Sequence, residues 1–173
     1  MTWLGIVAAC IVAVFALTVI RGAPYVPSKR RDLQRAFDEL YILGKKDTLL
    51  DIGSGDGVVL RAVAKRGATA IGYEINPLLV VLSRWLSRHD PKVTVKLADF
   101  WLASFPAKTT IVYTFGESRD IAKMYRKVQR EANMLNRTLW FMSLGFLVPK
   151  QAVFKSVGAH HLYKIAPLQN REA

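Results

Sequence analysis

The chain has 173 residues, with 25 Lys plus Arg against 13 Asp plus Glu, a formal net charge of +12. That length holds one domain with a sizeable core and excludes a second of ordinary size, while the single cysteine, Cys10, excludes an intrachain disulfide and a thiolate metal cluster. The basic balance favours anionic surroundings, whether nucleic acid, an anionic membrane face or an acidic partner, and says nothing about fold.

From Trp3 to Ile20 there is no charge, and only Gly5 and Thr18 interrupt the apolar run. Those eighteen residues at helical rise approach the roughly 30 Å of a bilayer's hydrocarbon core. Arg21 stops the run, and Lys29, Arg30 and Arg31 follow. The expectation is an uncleaved membrane anchor over 1–22, with the bulk of the chain on the cytoplasmic side. A cleavable signal peptide lacks its usual basic residue ahead of the apolar run; a hydrophobic helix packed on the domain is the other alternative. Pro24 and Pro27 predict an extended exit. Ser28 is placed to cap a helix whose apolar positions Leu33, Phe37 and Leu40 or Tyr41 recur at helical spacing, and Gly44 is placed to end it. This helix either caps the sheet edge or lies over a ligand cleft, with Arg30, Arg31 and Arg35 on its outer side.

The stretch Leu49 to Leu60, LLDIGSGDGVVL, reads as a strand over Thr48–Ile52, a tight turn with Gly53, Gly55 and Gly57 at alternate positions, and a helix over Val58–Lys65. A second strand follows from Ala68 to Tyr73 and closes on Glu74, a placement suited to accepting hydrogen bonds from ribose hydroxyls. The ligand therefore contains a nucleoside. The spacing is G-x-G-x-G, with Asp51 before the turn and Asp56 inside it. Two carboxylates repel a pyrophosphate but suit a cationic sulfonium and an ammonium group, so S-adenosylmethionine fits better than NAD.

Asn76 and Pro77 open the next helix as cap and first residue, with Leu79, Leu82 and Leu86 as its expected buried stripe and Trp85 read as core, a lid against the adenine being the alternative. Val93–Leu97 is a third strand, and Asp99 and Phe100 fall at its tip, where they would meet an adenine amino group and ring. Thr109–Phe115 is a fourth strand, whose tip is where an acceptor would meet the methyl group. From Arg119 a helix carries apolar Ile121, Met124, Val128, Ala132 and Leu135 on one face and a basic band of Lys123, Arg126, Lys127 and Arg130 on the other. Thr138–Ser143 reads as a fifth strand, and about Ala152–Ser156 and His161–Ile165 as a terminal hairpin. His89, His160 and His161 show no metal-ligand spacing, so no metal site is expected, and no serine sits in a nucleophile elbow.

Methyl transfer to nitrogen demands an unprotonated acceptor aligned with the methyl group. By position alone, Tyr113, Thr114 and Glu117 are the candidate catalytic residues. The Asn-Pro-Pro-Tyr-like tetrad of enzymes that methylate nucleobase or glutamine nitrogens is missing from this strand tip.

The succession of apolar anchor, Tyr25-Val26-Pro27, Leu50-Asp51-Ile52-Gly53-Ser54-Gly55-Asp56-Gly57, Gly72-Tyr73-Glu74-Ile75-Asn76-Pro77 and Ser83-Arg84 resembles the small membrane-anchored seven-strand protein-lysine methyltransferases. Mitochondrial members of that family modify the adenine nucleotide translocase and the ATP synthase c-subunit. The resemblance is strongest from Leu49 to Arg84. It implies an α/β, Rossmann-like class I S-adenosylmethionine-dependent methyltransferase sheet with an N-terminal transmembrane helix. The domain plan would be an anchor over 1–22, a preceding segment with a helix over 23–46, the methyltransferase domain over 47–168, facing the cytoplasm, and a tail over 169–173. Cofactor contacts are expected at Asp51, Gly53, Ser54, Gly55, Asp56, Gly57, Glu74, Asn76, Asp99 and Phe100. The expected acceptor is a lysine of a membrane protein; phospholipid headgroups, RNA, and a catalytically inactive S-adenosylmethionine-binding module are the alternatives.

Overall fold

The structure, a computed structural model, describes residues 30–168 together with 3, 5 and 6. In chain order the elements are α1 (Arg30–Glu39), β1 (Thr48–Ile52), α2 (Val58–Lys65), β2 (Thr69–Glu74), α3 (Pro77–Leu86), β3 (Val93–Leu97), β4 (Ile111–Phe115), α4 (Ile121–Met134), β5 (Leu139–Leu144), β6 (Lys155–Val157) and β7 (His160–Ile165). They build a seven-stranded sheet of order β3-β2-β1-β4-β5-β7-β6. The first five strands are parallel, and β7 runs antiparallel to both β5 and β6.

Side-chain alternation divides the core into two layers, because successive strand residues point to opposite faces. Leu49, Ile111, Tyr113, Met142 and Leu162 pack under α1, α2 and α3, while Leu50, Ile52, Val112, Phe141 and Tyr163 pack under α4. Every residue of β1 is buried, as expected for a central parallel strand covered on both faces. From β1 the chain proceeds outward to β2 and β3, then returns to β4 on the other side of β1. That reversal opens a crevice at the C-terminal ends of β1 and β4, where open α/β sheets hold their ligands.

Several expectations change. The anchor expected over 1–22 lies, apart from Trp3, Gly5 and Ile6, outside the described residues, as does the Ser28 cap. Among the described residues no helix is long and apolar enough to cross a membrane. The helices α2 and α4 have 8 and 14 residues, short of the roughly 20 that a span requires. The single-pass membrane assignment, with its cytoplasmic catalytic domain, is therefore not supported by any helix among the described residues.

The leucine stripe expected on α3 is also corrected. Val80 and Ser83 are its buried residues, while Leu82 and Leu86 are 41% and 38% exposed. A β-carbon at Gly57 would collide with Ser83 Oγ, so α3 sits directly on the glycine turn and only a small side chain fits between them. Trp85, expected in the core, is 59% exposed and lies against the Arg88 guanidinium, 4.8 Å from ring centroid to Cζ. Lys127 leaves the expected basic band: it is buried, pairs with buried Glu131 at 2.8 Å and lies over the Phe105 ring.

Candidate active site

The glycine turn follows from local chemistry. Gly53, Gly55 and Gly57 all have positive φ, at 94°, 53° and 81°, a region that side-chain-bearing residues enter at a cost. The N–H groups of Gly53 and Ser54 both donate to the Tyr73 carbonyl, at 2.8 and 3.0 Å, which clamps the turn onto the end of β2. Gly53 is exposed, and a β-carbon there would meet nothing within 4 Å. Open space therefore begins at this backbone.

Glu74 ends β2 with a buried carboxylate held from both sides. Its Oε2 accepts from the Gly55 N–H at 2.8 Å and its Oε1 from the Asn76 N–H at 2.8 Å. Each carboxylate oxygen keeps a further lone pair for a ligand hydroxyl. Asn76 caps α3, its Oδ1 accepting from the Leu78 N–H at 2.9 Å. Asp51 lies one strand over, Cα partner of Gly72 on one side and of Tyr113 on the other. It is only 3% exposed. Burial, followed by the nearby charges of Glu74 and Asp56, pushes its carboxyl well above the usual carboxylate range. Such a cluster of desolvated acids favours the arrival of a cation.

Asp56 is oriented otherwise. Its Oδ1 accepts from the Val58 N–H at 3.2 Å, its Oδ2 pairs with Arg61 at 3.2 Å, and its carbonyl accepts from the same guanidinium at 2.6 Å. Its charge is thus directed to α2. Ser54 is buried, with its Oγ against Gly72. At the tip of β3, the Ala98 N–H donates to the Glu74 carbonyl at 2.9 Å, which draws the following segment toward the site. Asp99 Oδ1 there accepts from the Trp101 N–H at 2.9 Å, and Phe100 is half-buried with its ring 4.3 Å from that of Trp101.

The three acceptor-side candidates are not brought together. Tyr113 is 1% exposed on the α1 face, its ring packed near Phe37 and its hydroxyl 3.2 Å from His160 Nε2. Thr114 is buried on the α4 face, its hydroxyl 3.4 Å from the Ile52 carbonyl and 3.6 Å from Met124 Sδ. Glu117 lies beyond the strand, pairing with Arg119 at 3.4 Å while its carbonyl accepts from the Asp120 and Ile121 N–H groups. His160 is the polar group that sequence reasoning left without a role. Its separation from Tyr113 by 47 residues hides the contact, and its only local signal is the adjacent His160-His161 pair on a strand.

No protein-family model matches the chain. Among curated proteins, it is 32% identical over 138 residues to the ATP synthase c-subunit lysine N-methyltransferase of Homo sapiens, covering 73% of this chain and 58% of that protein. It is 34% identical over 85 residues to the adenine nucleotide translocase lysine N-methyltransferase of Mus musculus, covering 47% of this chain and 36% of that one. The chain spans 58–62% of the length of the c-subunit enzymes it matches in Homo sapiens, Rattus norvegicus and Xenopus laevis. Among solved structures, an RNA methyltransferase from Salinibacter ruber in complex with S-adenosyl-L-homocysteine superposes with a TM-score of 0.72 at 24% identity, covering 86% of this chain and 98% of that one. A coclaurine N-methyltransferase shares the fold at a TM-score of 0.54 and 14% identity, covering 64% of this chain and 34% of that one. The protein thus has the fold of the seven-strand class I methyltransferases and is, by sequence, a relative of the lysine N-methyltransferases of the ATP synthase c-subunit and the adenine nucleotide translocase.

Proposed function

We propose that the protein is an S-adenosylmethionine-dependent protein-lysine N-methyltransferase whose acceptor is a lysine of a membrane protein. The observation that carries the cofactor is the pair of buried carboxylates, Asp51 and Glu74, flanking the open backbone at Gly53. Lysine as acceptor is supported by the names of the curated relatives. When bound, S-adenosylmethionine supplies a methyl group activated on a positively charged sulfur.

The chain's own residues bind and orient. Glu74, already fixed by the Gly55 and Asn76 N–H groups, accepts from ribose hydroxyls. Asp51 provides the negative counterpart for the cationic amino-acid end, and its burial excludes the water that would screen it. Gly53 gives the ligand close access to backbone, with Ser54, Gly55 and Gly57 shaping the turn beneath it, Asp56 braced on Arg61 and Asn76 holding the start of α3. Asp99 would receive the adenine amino group and Phe100 would cover the ring. Tyr113, Thr114 and Glu117 lie toward the acceptor end without converging, Tyr113 beneath the α1 face, Thr114 beneath the α4 face and Glu117 beyond the strand.

The test is incubation of the full-length protein with cofactor labelled on its methyl group and membranes from its own source, followed by separation of protein, lipid and RNA. Label in protein, released as methyl-lysine on hydrolysis, is the expected result. The net charge of +12 favours RNA as a second reading, and label confined to RNA, or to lipid, would overturn the acceptor assignment.

A further inference from the structure

A cavity of about 130 Å³ lies between the first turn of α1 and the turn joining β6 to β7, lined by Asp32, Arg35, Val157, Gly158, Ala159 and His160. Register ties it to the cofactor turn. His160 is the Cα partner of Leu144, which is the partner of Phe115 at the C-terminal end of β4. Two residues back along β4, Tyr113 pairs with Asp51, and its hydroxyl reaches His160 Nε2 at 3.2 Å. Asp51, Tyr113 and His160 therefore form a polar row across one face of an otherwise apolar layer, at the end of the sheet that carries the glycine turn.

We propose that this cavity admits the side chain of the acceptor lysine, with Asp32 holding its ammonium group and His160, oriented by the Tyr113 hydroxyl, receiving the proton that the ammonium must lose. The inference rests on the lysine methyltransferase reading above. Of the charged residues that line the cavity, Asp32 is the anion and Arg35 the cation. Arg35 is engaged by Glu39 at 2.8 Å, Lys155 donates to the Glu39 carbonyl at 2.7 Å, and Asp32 stands at the exposed rim.

His160 is suited to take the proton. Burial pushes its imidazole below the ordinary histidine value, Asp32 opposes that shift, and His161 adds to it. The neutral imidazole is thereby favoured, which leaves one ring nitrogen with a lone pair. The incoming ammonium loses water as it enters, and desolvation lowers the pKa of a lysine. The proton passes from the lysine Nζ to the imidazole, leaving the Nζ lone pair free and an imidazolium near the Asp32 carboxylate. The groups facing His160 are Tyr113 from β4, Asp32 and Arg35 from α1, and His161 from its own strand. Tyr113 acts as a positioning residue, through His160.

The test uses full-length protein labelled with ¹³C and ¹⁵N at histidine and titrated with Nα-acetyl-L-lysine methylamide. His160 is assigned by elimination with the exposed variant His89→Asn and with His161→Asn, whose ring contacts Ser156 at 2.8 Å. Its ring signals are expected to shift saturably, and Asp32→Asn to weaken the midpoint about tenfold, the loss of one charge-assisted hydrogen bond. S-adenosylmethionine affinity measured by calorimetry should be unchanged in Asp32→Asn, which separates a lost acceptor contact from a lost fold. His160 signals that ignore the amine, or a midpoint indifferent to Asp32→Asn, would overturn the subsite. If the wild type nevertheless labels protein lysine, the proposed activity stands without this subsite. Label confined to lipid or RNA would overturn both.

Discussion

Gly72 provides the sharpest test of how the sheet positions the glycine turn. It lies within β2 opposite Asp51, and its backbone is not among those with positive φ, so alanine there is a steric perturbation alone. The added methyl would lie 2.6 Å from Leu60 Cδ1 and 2.7 Å from Ser54 Cβ, where carbon atoms ordinarily approach to about 3.5–4.0 Å. Ser54 is buried, and its N–H is held by the Tyr73 carbonyl at 3.0 Å. Relief therefore requires the glycine turn to move. Overpacking of this kind costs about 1–3 kcal/mol, and each kcal/mol lowers the melting temperature by about 2–4 °C at this size. Urea unfolding of Gly72→Ala measures the loss, and calorimetric titration with S-adenosylmethionine reads the displaced turn as weaker affinity. Adding Ser54→Gly removes one of the colliding groups, so the double variant should recover part of the loss, a favourable coupling of at least about 0.5 kcal/mol. Gly53→Ala provides the contrast: it meets no neighbour but has φ of 94°, for which the backbone alone costs about 1–2 kcal/mol. A Gly72→Ala protein as stable as the parent, or a loss with no coupling to Ser54, would refute the packing argument.

Glu131→Ala should lower stability by about 3–5 kcal/mol in urea unfolding. It strands buried Lys127 and leaves the buried Phe105 N–H without the Oε2 acceptor it reaches at 3.0 Å. Tyr41, pushed up from 10.0 to about 12 by burial and by its hydrogen bond to Asp47, favours the folded state while its phenol is protonated. That contribution is complete below pH 10 and is lost as pH rises toward 12, so Tyr41→Phe should flatten the denaturation midpoint across this window. Asp51 obeys the same sign: its folded pKa is raised, chiefly by burial, so its stabilising contribution is present below the ordinary carboxylate range and is lost as pH rises through the folded value. Asp51→Asn is therefore expected to melt higher than the parent at neutral pH without ligand, and to bind S-adenosylmethionine more weakly by calorimetry. A variant that melts lower would refute the account of a desolvated carboxylate.

The elements that build the glycine turn and its flanking carboxylates were legible because their signals are local. The three glycines, the apolar run ending at Asp51, Glu74 closing the second strand and the Asn76-Pro77 helix start all lie within 29 residues, from Leu49 to Pro77, and each reports a backbone preference or a cap that does not depend on distant chain. The terminal hairpin was readable for the same reason, from alternation around a turn. On α3 the pattern misled. A leucine stripe at helical spacing names an apolar face, but Leu78, Val81 and Trp85 made the rest of the helix apolar too, and the buried side was set by the close fit of Ser83 on Gly57. Lys127 looked like surface charge because its partner Phe105 lies far away in sequence, in the loop between β3 and β4.

Sequence alone determined the order of strands and helices, the glycine turn and the acids at the strand tips, since these arise from propensity, periodicity and capping within a few residues. Tertiary structure decided which side chains share a face and which charges are desolvated. It set Tyr113 against His160, directed Asp56 to Arg61 and placed Asp32 at the mouth of a cavity. Such contacts depend on strand register and helix rotation, and those are settled by packing between segments that the chain keeps far apart.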